Sequence, residues 1–127
     1  MKPEELKYTR SHLWVHVEGD TATVGLSDYA QQELGDIVFV EMPEKGKSFK
    51  KDDTIGTVES VKSVSDIFSP VSGEVVEINT KLEDVPETIN KDPYGEGWIL
   101  KLKLSNKAEV DELMDYQAYD QFTESEQ

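Results

Sequence analysis

The sequence predicts a mainly β protein with short helical pieces, and three observations carry that expectation. Apolar residues alternate with polar ones at period two in several short runs, as they do in strands that bury one face. Gly, Pro, Asp and Asn punctuate these runs, as chain reversals require. Helical spacing is confined to residues 27–34 and 105–123.

Taken in order, "LWVHV" and "TATVGL" form a hairpin around Glu18-Gly19-Asp20. Ser27 is placed to cap a short helix, Ala30 and Leu34 lie four apart within it, and Gly35 ends it. "DIVFVEMP" reads as a strand stopped by Pro43, and "EKGKSFKKDDT" as a charged turn region. "TIGTVES" and "SDIFSP" flank a tip at Val61-Lys62-Ser63. "GEVVEIN" and "GWILKLKLS" complete the strands, separated by the long polar stretch "TKLEDVPETINKDPYGE". Asn106 and Glu109 have capping-box spacing before the apolar stripe Val110, Leu113 and Met114. A short turn at Asp115 then carries Tyr116, Tyr119 and Phe122, a face suited to packing on the β body, and "TESEQ" reads as a frayed tail. "SDYAQQELGDIVFV" and "SDIFSPVSGEVVEI" align without gaps at an offset of 38, which suggests a duplicated, pseudo-twofold sheet.

Composition narrows the function. At 127 residues the chain suits a single domain over 1–127. A formal charge of −14 disfavours nucleic acid and anionic membrane, and favours partners with basic docking patches. The absence of cysteine excludes thiolate catalysis, disulfides and cysteine metal sites. "MKPEELKYTR" has no signal-type apolar core and no later run approaches a membrane span, so a cytoplasmic location is expected.

The informative feature is the tip. Strand turns usually recruit Gly, Asn, Asp or Pro, yet here a lysine stands between stiff, β-branched Val61 and Val64, with Ser63 beside it. A lysine amine in water is mostly ammonium and a poor nucleophile. An exposed lysine on a rigid mount makes sense as an attachment point for an acyl group, although a surface lysine on an ordinary turn is the plain alternative. A Schiff-base role would instead require a buried, desolvated amine. His12 and His16 share a strand face with Trp14 on this reading and lack a third His or Cys ligand, so they are expected to be structural.

"VESVKSVSD" resembles the lipoylation hairpin of lipoyl domains. More narrowly, "SHLWV", "ATVGLSDYAQQELGDIVFVEMPEKG", "GTVESVKSVSDIFSPVSGEVVEIN" and "INKDPYGEGWILKLKLS" together resemble the H-protein family of the glycine cleavage system, over nearly the whole chain. The resemblance implies a flattened barrel-sandwich hybrid of two antiparallel sheets. Its lipoyl-binding core would span 21–104, the hairpin 57–69, and a packed helical end 105–123. It implies lipoic acid in amide linkage on Lys62, with Glu59, Asp66 and Gly73 sensed by the attaching enzymes. It further implies a non-catalytic carrier of the glycine aminomethyl group. The partners would be a pyridoxal-phosphate glycine decarboxylase, an aminomethyltransferase and dihydrolipoyl dehydrogenase. Attachment would fall to a lipoate ligase, or to an octanoyltransferase with lipoyl synthase. Donation of the lipoyl group to 2-oxoacid dehydrogenases is an alternative, and a biotinyl carrier a weaker one, because the target lysine there is usually flanked by methionines. A cleft lined by Leu13, Leu26 and Glu33 is expected to shelter the arm. The family usually reads His-Glu-Trp where this chain has His12-Leu13-Trp14, so Leu13 removes a carboxylate from that cleft.

Overall fold

The computed structural model describes residues 2–126, in which the alternating runs form two antiparallel sheets. The larger has six strands in the order β1 (Lys7–Tyr8), β2 (Leu13–Glu18), β3 (Thr21–Leu26), β9 (Leu100–Leu104), β8 (Gly73–Ile78) and β5 (Ser48–Phe49). The smaller has three, in the order β4 (Ile37–Glu41), β6 (Thr54–Ser60) and β7 (Val64–Phe68). Helices α1 (Asp28–Leu34), α2 (Lys81–Asp84), α3 (Thr88–Lys91) and α4 (Tyr116–Glu126), with 3₁₀ turns at Pro3–Glu5 and Lys107–Glu112, complete the chain. The expected architecture of two antiparallel sheets with a helix over 27–34 and a helical end is the one found.

Period-two burial explains the interior. In β9, Leu100, Leu102 and Leu104 are buried while Lys101 and Lys103 point outward. These leucines join Leu13, Val15, Val24 and Val75 of the larger sheet and Val40, Ile55, Val58 and Ile67 of the smaller in one apolar cluster. Burying each such side chain is worth about 1.5–3 kcal/mol. A second cluster gathers Leu6, Tyr8, Trp14 and Tyr119, fastening α4 to β1 and β2. Tyr8 stacks on Tyr119 with centroids 4.4 Å apart and donates its hydroxyl to the Pro3 carbonyl at 2.7 Å. Burial pushes the phenols of Tyr8 and Tyr94 above the ordinary tyrosine range.

Several local expectations need correction. The charged region "EKGKSFKKDDT" contains β5, whose two residues pair with Gly73 and Glu74. The polar stretch after Asn79, given no element from the sequence, forms α2 and α3, each anchored by one fully buried residue, Leu82 and Ile89. Asn106 does cap the following turn through Ala108, but that turn is 3₁₀. Glu109 leaves the capping box and accepts instead from the Ser72 N–H at 2.7 Å and hydroxyl at 2.9 Å. The apolar stripe divides, Val110 and Leu113 packing on the main core and Met114 on the aromatic cluster. The aromatic spacing after Asp115 extends into an eleven-residue helix that includes Thr123 to Glu126, read from sequence as a tail; Gln127 lies outside the described residues. The internal echo holds only in its second half. From Gly35 and Gly73 onward each copy opens a strand, but Asp28–Leu34 is helical whereas the matching residues begin as β7. Among the described residues, no helix is long and apolar enough to cross a membrane.

Candidate functional site

Strands β6 and β7 pair in register, Thr57 with Asp66, Val58 with Ser65 and Glu59 with Val64, and deliver Val61-Lys62-Ser63 to the crown of a hairpin. The crown needs no glycine because no φ there is positive: among the described residues, His12 and Asp52 are the non-glycine positions in that region. Its backbone is held by Ser60. That residue is 6% exposed, and its N–H donates to the Ser63 carbonyl at 2.8 Å. Its Oγ accepts from the N–H groups of Lys62 at 3.2 Å and Ser63 at 3.1 Å. The Val61 N–H donates to the Asp36 carbonyl at 3.1 Å. Each crown N–H therefore has an acceptor, and the lysine's Cα has a fixed place.

Lys62 is exposed, which removes the desolvation a Schiff-base amine would require. Its side chain does not leave the body at once. It lies over Gly35, where an added methyl would sit 3.3 Å from Cε and 3.7 Å from Nζ. Gly35 ends α1 at φ 80°, ψ −156°, a conformation that is essentially glycine-only. Asn90 fixes this shelf by accepting from the Ile37 N–H at 2.9 Å and donating to the carbonyl of Gly35 at 2.9 Å and to the Gln31 side chain at 3.0 Å.

Beside the shelf, a cleft of about 270 Å³ lies between α1 and the hairpin. Leu13, Leu26, Ala30, Val58 and Ile67, all buried, give it an apolar floor, and exposed Glu33, Ser65 and Asp66 stand at its mouth. Leu34, next to Gly35, also lines it, so cleft and lysine shelf share an edge. Leu13, Leu26 and Glu33 thus converge on one hollow. At its other end stands His12, expected from the sequence on a strand face with Trp14 and His16 but in fact preceding β2. It occupies a turn at φ 71°, and its Nδ1 bonds to the Tyr119 hydroxyl at 2.9 Å. That hydroxyl shares a 2.6 Å hydrogen bond with Ser27 Oγ, which accepts from the Ala30 N–H and so caps α1. His16 instead meets Glu18 at 3.0 Å, and among the described residues no group of three His, Asp or Glu is arranged to hold a metal ion.

The remaining predicted residues divide. Glu59 is exposed on β6, between Phe39 and Val64 in neighbouring strands, and Asp66 is exposed on β7. Gly73 belongs to the larger sheet, and a Cβ there would fall against the Lys103 carbonyl oxygen, so close strand approach itself demands glycine. Ser60, Gly35, Asn90 and Tyr119 escaped attention as site residues. Ser60 carried a readable signal, a hydroxyl two residues before the turn's second N–H. Asn90 carried none.

The chain matches the family model described as glycine cleavage H-protein over residues 6–126. It is 60% identical over 121 residues to the glycine cleavage system H protein of Symbiobacterium thermophilum, covering 95% of this chain and 94% of that protein. To the protein of the same description from Rubrobacter xylanophilus it is 58% identical over 108 residues, 85% and 86% of the two chains. The crystal structure of a glycine cleavage system H protein from Mycobacterium marinum superposes with a TM-score of 0.84 at 38% identity, covering 94% of this chain and 98% of that one.

Proposed function

This chain belongs to the glycine cleavage H-protein family, and we propose from that premise that Lys62 is its point of lipoyl attachment. The protein is the carrier component of glycine cleavage. The observation that supports Lys62 is its exposure on a crown whose N–H groups are all tied down, at the edge of an apolar cleft. Amide formation there joins the Nζ lone pair to the carbonyl carbon of an activated acyl group, such as an acyl adenylate. The carbon–oxygen bond to the adenylate breaks, AMP leaves, and Nζ gives up a proton to a base on the acylating enzyme.

Once attached, the lipoyl group supplies the sulfur that receives the aminomethyl unit of glycine and the two-electron redox change that goes with it. This chain's residues position and shelter. Ser60 and Asp36 fix the lysine's origin, and the Gly35 shelf directs its stem along the body. The buried floor of Leu13, Leu26, Ala30, Val58 and Ile67 suits an apolar arm, and excluding water there slows loss of a labile load. With Leu13 on the floor, the carboxylates available to a cationic load are Glu33 and Asp66 at the mouth. On this reading the carrier is non-catalytic and cytoplasmic. It visits a pyridoxal-phosphate glycine decarboxylase, an aminomethyltransferase and dihydrolipoyl dehydrogenase, and is loaded by a lipoate ligase or by an octanoyltransferase with lipoyl synthase. Glu59, Asp66 and Gly73 contribute to recognition by the loading enzymes.

Intact and peptide mass spectrometry of the protein from its native host tests the assignment. A lipoyl or octanoyl increment on the peptide containing Lys62 is expected. A biotinyl increment there, or a persistently unmodified lysine, overturns it.

A further inference from the structure

Large apolar side chains are exposed in a pattern. Val61 is 66% exposed, Val64 65%, Phe39 51% and Val38 47%. All four belong to the small sheet and its crown. Phe39, Glu59 and Val64 stand opposite one another across β4, β6 and β7, so they share the outward face. A register shift between Ile37 and Phe39 breaks the alternation of β4, which turns Val38 and Phe39 outward together. The patch is continuous with the crown through the Val61 N–H bond to Asp36. Its rim is acidic. Asp36, Glu41 and Asp66 are exposed around the patch, Glu59 stands within it between Phe39 and Val64, and none of the four forms an ion pair among the described residues. Lys62 is the sole basic residue in segments 36–41 and 54–68.

An exposed apolar patch whose carboxylates, Glu59 within it and the others around it, are of a single sign suits a protein contact with a basic partner. Its position selects the partner. Enzymes that act on a carried group meet it a full acyl chain away from Nζ, and can reach it without covering the crown. The enzyme that forms the amide must bring its reacting carbon to Nζ itself, and so must close over the residues around Lys62. We infer that the outward face of β4 and the crown, centred on Phe39, Val38 and Val64, is the docking surface for the acylating enzyme, which presents an apolar hollow rimmed by Lys and Arg. This rests on the assignment of Lys62 as the attachment point.

The test uses the unmodified full-length chain as substrate for a lipoate–protein ligase with lipoate and ATP, with steady-state rates followed by intact mass. Val38→Thr/Phe39→Thr is expected to raise KM about tenfold with little change in kcat, the scale of losing one central apolar anchor. Val64→Thr, which keeps the strand-forming β-branch, is expected to act in the same direction, and thermal unfolding checks that both variants fold. Raising ionic strength is expected to raise the wild-type KM, since the rim attracts by charge. Val76→Ser, an exposed valine of the larger sheet, is expected to leave KM unchanged. An unchanged KM in both patch variants, with wild-type chain acylated normally at Lys62, overturns the docking surface alone. So does a wild-type self-association that the variants abolish without a change in KM, which assigns the face to a second copy of the chain. A wild-type chain acylated elsewhere, or not at all, overturns the attachment assignment and this inference with it.

Discussion

The two sheets of this protein spend their apolar residues in opposite ways. In the six-stranded sheet, β2, β3 and β9 bury Leu13, Val15, Val24, Leu100 and Leu102 almost completely. In the three-stranded sheet, β7 buries Ile67 alone, while Val64 and Phe68 face outward and β4 exposes Val38 and Phe39. Both pack on the same interior through Val40, Ile55, Val58 and Ile67. The difference shows a division of work: one sheet supplies cohesion, and the other trades part of its possible burial for a presented surface around Lys62.

The comparison breaks most visibly under truncation. Leu102→Ala is expected to cost about 2–5 kcal/mol in chemical denaturation, whereas Val61→Ala at the crown stays within about 0.5 kcal/mol. Equal losses would erase the distinction between the sheets. Gly73→Ala probes the tight seam of the larger sheet. Its methyl collides with the Lys103 carbonyl, and a destabilisation of about 1–3 kcal/mol is expected from the overpacking. If acylation of the folded Gly73→Ala protein is as fast as wild type, the glycine serves the seam and not recognition by the loading enzyme.

Ser60→Ala is a finer cut at the presented side. It removes the acceptor for the Lys62 and Ser63 N–H groups, at about 1 kcal/mol, and slows acylation several-fold through a less ordered crown; Ser60→Thr restores both. A Ser60→Ala protein acylated at the wild-type rate would show that crown order is immaterial. The remaining effect is confined to alkaline pH and concerns the aromatic cluster. Burial holds the folded phenols of Tyr8 and Tyr94 above the ordinary tyrosine value of 10.0, so at alkaline pH the folded state holds protons that the unfolded state has released. Stability should be flat below about pH 10 on their account and fall above it, by at most about 1.4 kcal/mol per pH unit for each phenol. Tyr8→Phe should flatten that slope, measured as denaturation midpoints between neutral and alkaline pH; an unchanged slope would remove Tyr8 from the cause.

Much of this was legible in the residues, and for identifiable reasons. Period-two runs gave the main strands because one-sided burial imposes that period, and Ser27 and Gly35 framed α1 because its ends need partners. Lys62 was conspicuous because its neighbours are wrong for a solvent-tolerant loop. The misses were places where a distant contact decides local structure. Two-residue β5 exists only because β8 runs alongside, and α2 and α3 hold their shape by burying Leu82 and Ile89. Glu109 abandons its helix cap because Ser72 offers both an N–H and a hydroxyl. At the site, Leu13, Leu26 and Glu33 were named, yet the shelf was invisible: Gly35 reads as a helix stop, and Asn90 is far away in sequence.

The most direct test of the account is acylation of the unmodified protein in vitro, wild type against Lys62→Arg, read by intact and peptide mass with thermal unfolding alongside. A single acyl increment on the wild-type Lys62 peptide is expected, with none on the variant and the same unfolding midpoint in both. An increment that persists in Lys62→Arg, or that appears on a lysine of the larger sheet such as Lys101 or Lys103, would contradict it.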